Sequence, residues 1–133
     1  MTMKITGSCS CNKASYEIDG TLNNPMSCHC SMCRKLFSSQ AAACATFAPS
    51  SFEWTSDTEQ VTYHQTSPDM GVYFCKTCGS HLVGTHKNEI CWATLGCINE
   101  ALALEPIKHI FMASKANWDE SPEQSECFDE FPT

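Results

Sequence analysis

The chain has 133 residues, of which eleven are cysteine, and it carries a formal net charge of −7 with a pI near 5.0. This length suits one core, so we expect a single domain over residues 1–133 with a peripheral tail at 119–133. The acidic balance argues against a nucleic-acid partner, because such binding depends on Lys and Arg neutralising phosphates.

Short apolar stretches, rich in β-branched and aromatic residues and separated by Gly and Pro, follow one another along the chain. MKITG and ASYEIDG flank SCSCNK and predict a hairpin-like opening. The other predicted strands are AAACATF, SFEWT, VTYHQT, GVYFC, HLVGTH, EICWATLGC and PIKHIFM. A single short helix is predicted at SMCRKLF, where Met32, Leu36 and Phe37 could share a face. The chain lacks βαβ alternation, so the pattern predicts a mostly β, antiparallel, single-domain fold.

The cysteine count raises the question of the redox compartment. No segment has the apolar length of a signal peptide or of a membrane span, so we expect a cytoplasmic protein without a membrane partner. The count is odd, and C-x-C pairs make strained disulfides. Reduced thiols, many of them bound to metal, are therefore the better interpretation.

Two cysteine pairs have the spacing of a closed structural zinc site. Cys9 and Cys11 are two positions apart, so in an extended strand both sulfurs would face one side. Cys75 and Cys78 form a C-x-x-C turn followed by Gly79, which can take a positive φ while backbone N–H groups point at the sulfurs. Together the pairs supply four thiolates, a complete tetrahedral zinc shell, with iron as the main rival. A thioredoxin-like redox pair is the alternative for the C-x-x-C turn, but it requires a βαβ context.

Cys28, Cys30 and Cys33 form a second group without a fourth cysteine close by. Cys28 and Cys30 share one face of an extended segment, and Cys33 returns on the first turn of the helix, so the three can converge. His29 would point the opposite way and is a poor fourth ligand. Three protein ligands with an exchangeable fourth position is the catalytic pattern for zinc.

The alternative is a second structural site, completed by another cysteine. The candidates lie among apolar residues, where a free cysteine is usually a small buried hydrophobe. These residues are Cys44, Cys91, Cys97 and Cys127.

An open three-thiolate zinc favours soft ligands over water. Three thiolates donate strongly and leave the metal a weaker Lewis acid than zinc on three histidines. An incoming thiol would bind deprotonated, and the held thiolate could add to an aldehyde carbon or leave from a thiohemiacetal. Arg34 and Lys35 could offset the thiolate charge or receive a substrate carboxylate, or they could be solvated charges.

Four motifs, GSCSC, CHCSMCRK, FCKTCGSHL and HIFMASKANW, occur in this order over residues 7–118. Together they resemble the glutathione-dependent formaldehyde-activating enzyme family, also called the centromere-protein-V-like family. The resemblance implies a β-tent fold of the Mss4-like type. It also implies one structural zinc at the four-cysteine set and a second, catalytic zinc at the three-cysteine set. The implied activity is a carbon–sulfur lyase reaction, the reversible addition of glutathione to formaldehyde to give S-hydroxymethylglutathione.

Three functional hypotheses follow. The favoured one is a zinc-dependent carbon–sulfur lyase acting on a thiol adduct of a small aldehyde, with glutathione or a similar thiol as partner. The alternatives are a non-catalytic zinc-stapled binding module and a thiol redox or metal-handling protein. The sequence indicates no oligomeric state. Side chains outside the cysteine motifs could line a pocket, with core packing or solvent exposure as the simpler interpretation of each: Phe37, His64, Trp92, Ser114, Lys115 and Trp118.

Overall fold

The computed structural model describes residues 4–120 and 126–132, which form two β-sheets and one short α-helix. The strands are β1 (Lys4–Ser8), β2 (Ser15–Asp19), β3 (Asn23–Cys28), β4 (Ala42–Thr46), β5 (Phe52–Trp54), β6 (Val61–Ser67), β7 (Met70–Cys75), β8 (His81–His86), β9 (Glu89–Thr94) and β10 (Lys108–Ile110). The helix is α1 (Ser31–Phe37). The predicted mostly β fold with one short helix is confirmed. No helix in these described ranges has the length and apolar character of a membrane span.

The strands divide into a small and a large sheet. The small sheet has the order β1-β2-β5 and the large one the order β10-β3-β4-β9-β8-β7-β6. Every pairing is antiparallel, as predicted, except that of β10 with β3, which is parallel. In this parallel pair Ile110 lies opposite Cys28. The pairing therefore places the C-terminal segment beside the strand that ends in the three-cysteine segment.

Strand β3 is the element that the sequence patterns did not predict. Its sequence, NNPMSC, contains residues typical of turns, and Pro25 has no N–H to give to a ladder. The structure accommodates this by a register shift between Asn23 and Met26 in the pairing with β4, and Pro25 itself is buried. The irregularity keeps the last residues of β3 in regular pairing, up to Cys28.

The core lies between the two sheets. Strands β1 and β2 contribute Ile5, Tyr16 and Ile18, and β8 contributes Leu82 and Val83, all at most 2% exposed. Burying one such aliphatic side chain contributes about 1.5–3 kcal/mol. The same cluster includes two cysteines, Cys9 and Cys75. The four-cysteine group is therefore seated at the margin of the core rather than on a surface loop.

The described part of the predicted tail follows β10. The N–H of His109 donates to the carbonyl of Glu126, and the N–H of Phe128 donates to the carbonyl of His109, both at 2.8 Å. The ring of Phe131 meets that of Phe111 edge-on at 4.8 Å. Residues 121–125 and 133 of the tail, and Met3 at the start of the first predicted strand, lie outside the described residues.

Candidate metal centres

The four-cysteine group brings its sulfurs together at the spacing of a metal shell. The Sγ atoms of Cys9, Cys11, Cys75 and Cys78 all lie within 4.8 Å of one another. The Cys9 and Cys11 sulfurs are 3.6 Å apart, and those of Cys11 and Cys75 are 3.7 Å apart. A tetrahedral zinc with bonds of about 2.3 Å separates its sulfurs by about 3.8 Å. The donor set and its spacing therefore fit a tetrahedral zinc, although the role of these residues as ligands stays a prediction.

The route by which Cys9 and Cys11 converge differs from the predicted one. Strand β1 ends at Ser8, and the two cysteines lie in the turn that follows it. The N–H of Asn12 donates to the carbonyl of Cys9 at 3.0 Å, and Asn12 has a φ of 65°. The expectation that an extended strand aligns the two sulfurs is therefore wrong. A tight turn with a left-handed asparagine brings them together instead.

The C-x-x-C turn has the predicted knuckle geometry. Gly79 has a φ of +82°, and its N–H donates to the carbonyl of Cys75 at 2.8 Å. The Ser80 hydroxyl lies 3.3 Å from the Cys78 sulfur, and this hydrogen bond is the main cause that lowers the pKa of Cys78 to about 5. Burial opposes ionisation of Cys75, but hydrogen bonds that include one from Gln60 hold its pKa below the ordinary value. The turn thus favours thiolates, the form that binds metal.

The three-cysteine group forms where β3 passes into α1. The Sγ atoms of Cys28, Cys30 and Cys33 lie within 4.8 Å of one another, and all three residues are half-buried. Cys28 is the last residue of β3, and Cys30 caps α1, since its sulfur accepts a hydrogen bond from the N–H of Cys33 at 3.3 Å. At the other end of the helix Ser38 adopts a left-handed conformation with a φ of 52°. The caps fix a seven-residue helix that buries none of its own residues.

No fourth protein ligand joins this group within the described ranges. Cys44, a candidate for that position, stays outside the group, and burial raises its pKa to about 12. Cys97 donates its S–H to the carbonyl of His81 at 3.4 Å. The contact with Cys33 lowers the pKa of Cys28 to about 6, while the same contact raises the pKa of Cys33. A three-sulfur set of this kind can hold a metal that keeps one position for an outside ligand.

His29, between Cys28 and Cys30, faces away from the sulfurs. Its side chain is buried and is no part of the three-sulfur group. Its Nε2 atom lies 2.9 Å from Nδ1 of His109, and its Nδ1 atom lies 3.5 Å from Oδ2 of Asp119. Local spacing in the sequence does not indicate His109 or Asp119, because the contact between His29 and His109 joins residues 80 positions apart.

Positive charge collects around this segment of a net acidic chain. Nε of Arg34 lies 3.4 Å from the carbonyl oxygen of His29, and Nζ of Lys115 donates to the carbonyl of Asp119 at 2.8 Å. Both charges act to lower the pKa of His29, behind burial and the neighbouring His109 as causes, while the Asp119 carboxylate acts in the opposite direction. The arrangement favours anionic ligands near the three cysteines.

The other predicted pocket residues are dispersed. His64 does line an open cavity of about 330 Å³ on the outer side of α1, together with Met32, Lys35, Leu36 and Thr66. Phe37 packs against His81, Trp92 covers Gly84, and Ser114 and Trp118 are exposed. They do not form one pocket.

A mostly β protein with two cysteine groups able to hold metal is the class that this fold and these sites define. The chain matches the model of the GFA family, described as glutathione-dependent formaldehyde-activating enzyme, over residues 4–114. This range contains all seven cysteines of the two groups, and the chain belongs to this family.

Among solved structures, the chain is similar to a Rhodobacter sphaeroides protein known from a crystal structure. The two share 22% sequence identity with a TM-score of 0.56, over 74% of this chain and 91% of that chain. At this identity the likeness shows the fold. A search of the curated proteins gives no match.

Proposed function

We propose that the protein is a cytoplasmic zinc enzyme of the carbon–sulfur lyase type. Its substrate would be the adduct of a small aldehyde with glutathione or a similar thiol. The observation that carries this proposal is the contrast between the two groups. One has four sulfurs at tetrahedral spacing, and the other has three half-buried sulfurs with no fourth protein ligand in the described chain. Membership of the GFA family supports the same assignment.

The four-cysteine group would hold the structural zinc. Its two pairs come from a turn after β1 and from a turn after β7, with Cys11 and Cys75 separated by 64 positions. A metal that joins them closes a long loop and ties the small sheet to the large one. Its complete shell leaves no place for a substrate.

The three-cysteine group would be the reaction centre. Cys28, Cys30 and Cys33 would hold the zinc ion, which when bound would lower the pKa of an incoming thiol and so favour its thiolate form at neutral pH. Arg34 and Lys115 carry positive charge beside this segment and would attract a thiol that bears carboxylates. In the forward direction the substrate sulfur bonds to the aldehyde carbon, and the carbonyl oxygen takes up a proton equivalent to the one the thiol lost. The reverse reaction breaks the carbon–sulfur bond and returns thiol and aldehyde.

Metal counting and cobalt substitution test this proposal. We expect two zinc ions per chain in reduced protein, one of which a chelator removes readily. With cobalt in place of zinc, glutathione or a smaller thiol should change the thiolate-to-metal absorption. Cys33→Ala should lose the second metal and the thiol response. Cys91→Ala, in a half-buried cysteine outside both groups, should keep both.

Two outcomes would contradict the proposal. If carboxylates perturb the cobalt spectrum and thiols leave it unchanged, the thiol chemistry is wrong. If the reduced protein binds a single tight zinc, the chain is a zinc-stapled binding module rather than an enzyme.

A further inference from the structure

His29 joins the three-cysteine segment to the C-terminal part of the chain. The residue is 2% exposed, and its ring centroid lies 5.2 Å from that of His109. One ring nitrogen of His29, Nε2, is 2.9 Å from Nδ1 of His109. Because His29 stands between two of the three cysteines, the position of its buried ring constrains the backbone that carries their sulfurs.

Asp119 approaches the other ring nitrogen of the same residue. Its Oδ2 atom lies 3.5 Å from Nδ1 of His29, and this buried nitrogen has no hydrogen-bond partner within the described residues. A carboxylate favours the N–H form of the nitrogen that faces it. We therefore assign the proton of neutral His29 to Nδ1, so that Nε2 accepts a hydrogen bond from the Nδ1–H of His109.

Backbone contacts also connect the three-cysteine segment to β10. The N–H of His29 donates to the carbonyl of Ile110 at 2.9 Å, and His109 lies opposite Ser27 in the parallel pairing of β10 with β3. The three-cysteine segment thus has its sulfurs in one group and, apart from them, a histidine that is hydrogen-bonded through Nε2 and faces a carboxylate at Nδ1.

We infer that His109 and Asp119 are positioning residues for the three-cysteine centre. Through His29 they hold the backbone of Cys28 and Cys30 in the orientation in which the three sulfurs converge, and so set the affinity and geometry of the metal. The inference rests on the proposed function, because it requires a metal at this centre. When a residue that orients a metal ligand without binding the metal itself is replaced, the metal affinity typically falls by about 10–100-fold.

Two replacements of His109, by side chains that are similar in shape to each other, isolate the effect of its hydrogen bond. In His109→Asn the amide can place an N–H near the position of Nδ1, whereas in His109→Leu a side chain of similar shape has no donor. We expect His109→Leu to weaken zinc binding at the three-cysteine centre by about 10–100-fold and to change its cobalt spectrum. We expect His109→Asn to keep most of the parental zinc affinity and of the parental cobalt spectrum. The matched control is His86→Leu, in an exposed histidine at the end of β8.

Asp119 provides a second pair of variants. Its side chain is 17% exposed, against 3% for that of His29, so its replacement should disturb the packing less than a replacement of His29 would. We expect Asp119→Ala to weaken the second zinc by about tenfold and Asp119→Asn, which keeps an acceptor, to weaken it less. Competition with a chromophoric chelator gives the two zinc affinities separately, and the affinity of the four-cysteine centre should not change.

The outcomes separate this inference from the proposed function. A parent protein with one zinc would overturn both. A parent with two zincs, and folded His109→Leu and Asp119→Ala variants with the parental affinity and cobalt spectrum, would overturn the inference alone. Equal weakening of both centres, or a lower unfolding midpoint with the second affinity unchanged, would show that these residues only support the fold, and would also overturn it.

Discussion

The ring of Phe37, the last residue of α1, lies 5.0 Å from the ring of His81, the first residue of β8. The His81 ring also stacks on the ring of Phe74, at 5.7 Å. Since α1 carries Cys33 and β8 follows the C-x-x-C turn, this contact joins the two cysteine groups. The helix buries none of its residues, so this aromatic contact contributes to its attachment to the sheet.

Replacing Phe37 by alanine should therefore loosen the helix. We expect Phe37→Ala to lower the free energy of unfolding by about 1–3 kcal/mol, because the side chain is half-buried. Zinc binding at the three-cysteine group should weaken more than at the four-cysteine group. Met32→Ala, on the same helix and 46% exposed, is the matched control and should have little effect. Urea titrations of zinc-loaded protein would measure the difference, and equal midpoints for the two variants would contradict it.

The two cysteine groups should differ in what their metal stabilises. A structural zinc contributes on the order of 10 kcal/mol to folding, and net domain stability is about 5–15 kcal/mol. Cys78→Ala should therefore leave the chain unfolded or aggregated. Cys33→Ala affects a group that spans one strand end and one helix turn, and it should give folded protein with one zinc. Circular dichroism melts with zinc counts would test this, and comparable unfolding of both variants would mean that the three-cysteine group is a second structural site.

A glycine beneath a tryptophan ring makes a further stability test. Gly84 on β8 lies opposite Trp92 on β9, and a Cβ at Gly84 would overlap the Trp92 ring. We expect Gly84→Ala to destabilise the protein by about 1–3 kcal/mol, because the ring or the strand must shift. Gly96 has nothing within 4 Å of the corresponding position, so Gly96→Ala should stay within about 0.5 kcal/mol of the parent. Thermal unfolding midpoints of the two variants would test this, and similar midpoints would contradict the explanation.

The thiol of Cys44 should make the protein less stable in alkali. Burial, with a smaller effect from Cys28, raises the pKa of Cys44 to about 12. In the unfolded chain the thiol ionises near pH 8.5, so its contribution is complete below that pH and is lost as the pH rises towards 12. From pH 8 to pH 10 the parent should lose about 2 kcal/mol more stability than Cys44→Ala. Urea midpoints at both pH values, with zinc and reductant present, measure this, and parallel losses would refute it.

Local sequence pattern predicted the helix and the strands better than it predicted which of them pair with each other. The helix Ser31–Phe37 and the strand His81–His86 have the bounds of their predicted segments, because apolar alternation and turn residues act over a few positions. The positive φ of Gly79 follows equally from local spacing. Strand β3 was missed because Pro25 indicates a turn, and its burial depends on neighbours that come later in the chain.

No local sequence pattern indicated the residues that contact the three-cysteine segment through His29. The spacing of Cys28, Cys30 and Cys33 is enough to group them, but nothing near them indicates His109 or Asp119. Those contacts depend on the parallel pairing of β10 with β3, which is a property of the topology. The Cys9–Cys11 turn shows the same limit at short range, because the spacing suits an extended strand as well as a turn.

The pairing of β10 with β3 also sets an order of assembly. During synthesis, all seven cysteines of the two groups are added to the chain before Lys108–Ile110. Until then one edge of β3 has no neighbour, and closing so long a loop is entropically slow. The thiols are thus made early, whereas the strand that supports them arrives last. Once the chain is complete, β10 is a three-residue strand at the end of the sheet, bridged on its outer side by the short segment 126–128, and such short terminal elements detach early in local opening. Detachment and return of β10 would then limit the rate at which metal exchanges at the three cysteines. The lifetime of a bound ion would depend on the dynamics of the sheet edge as well as on the strength of its sulfur ligands.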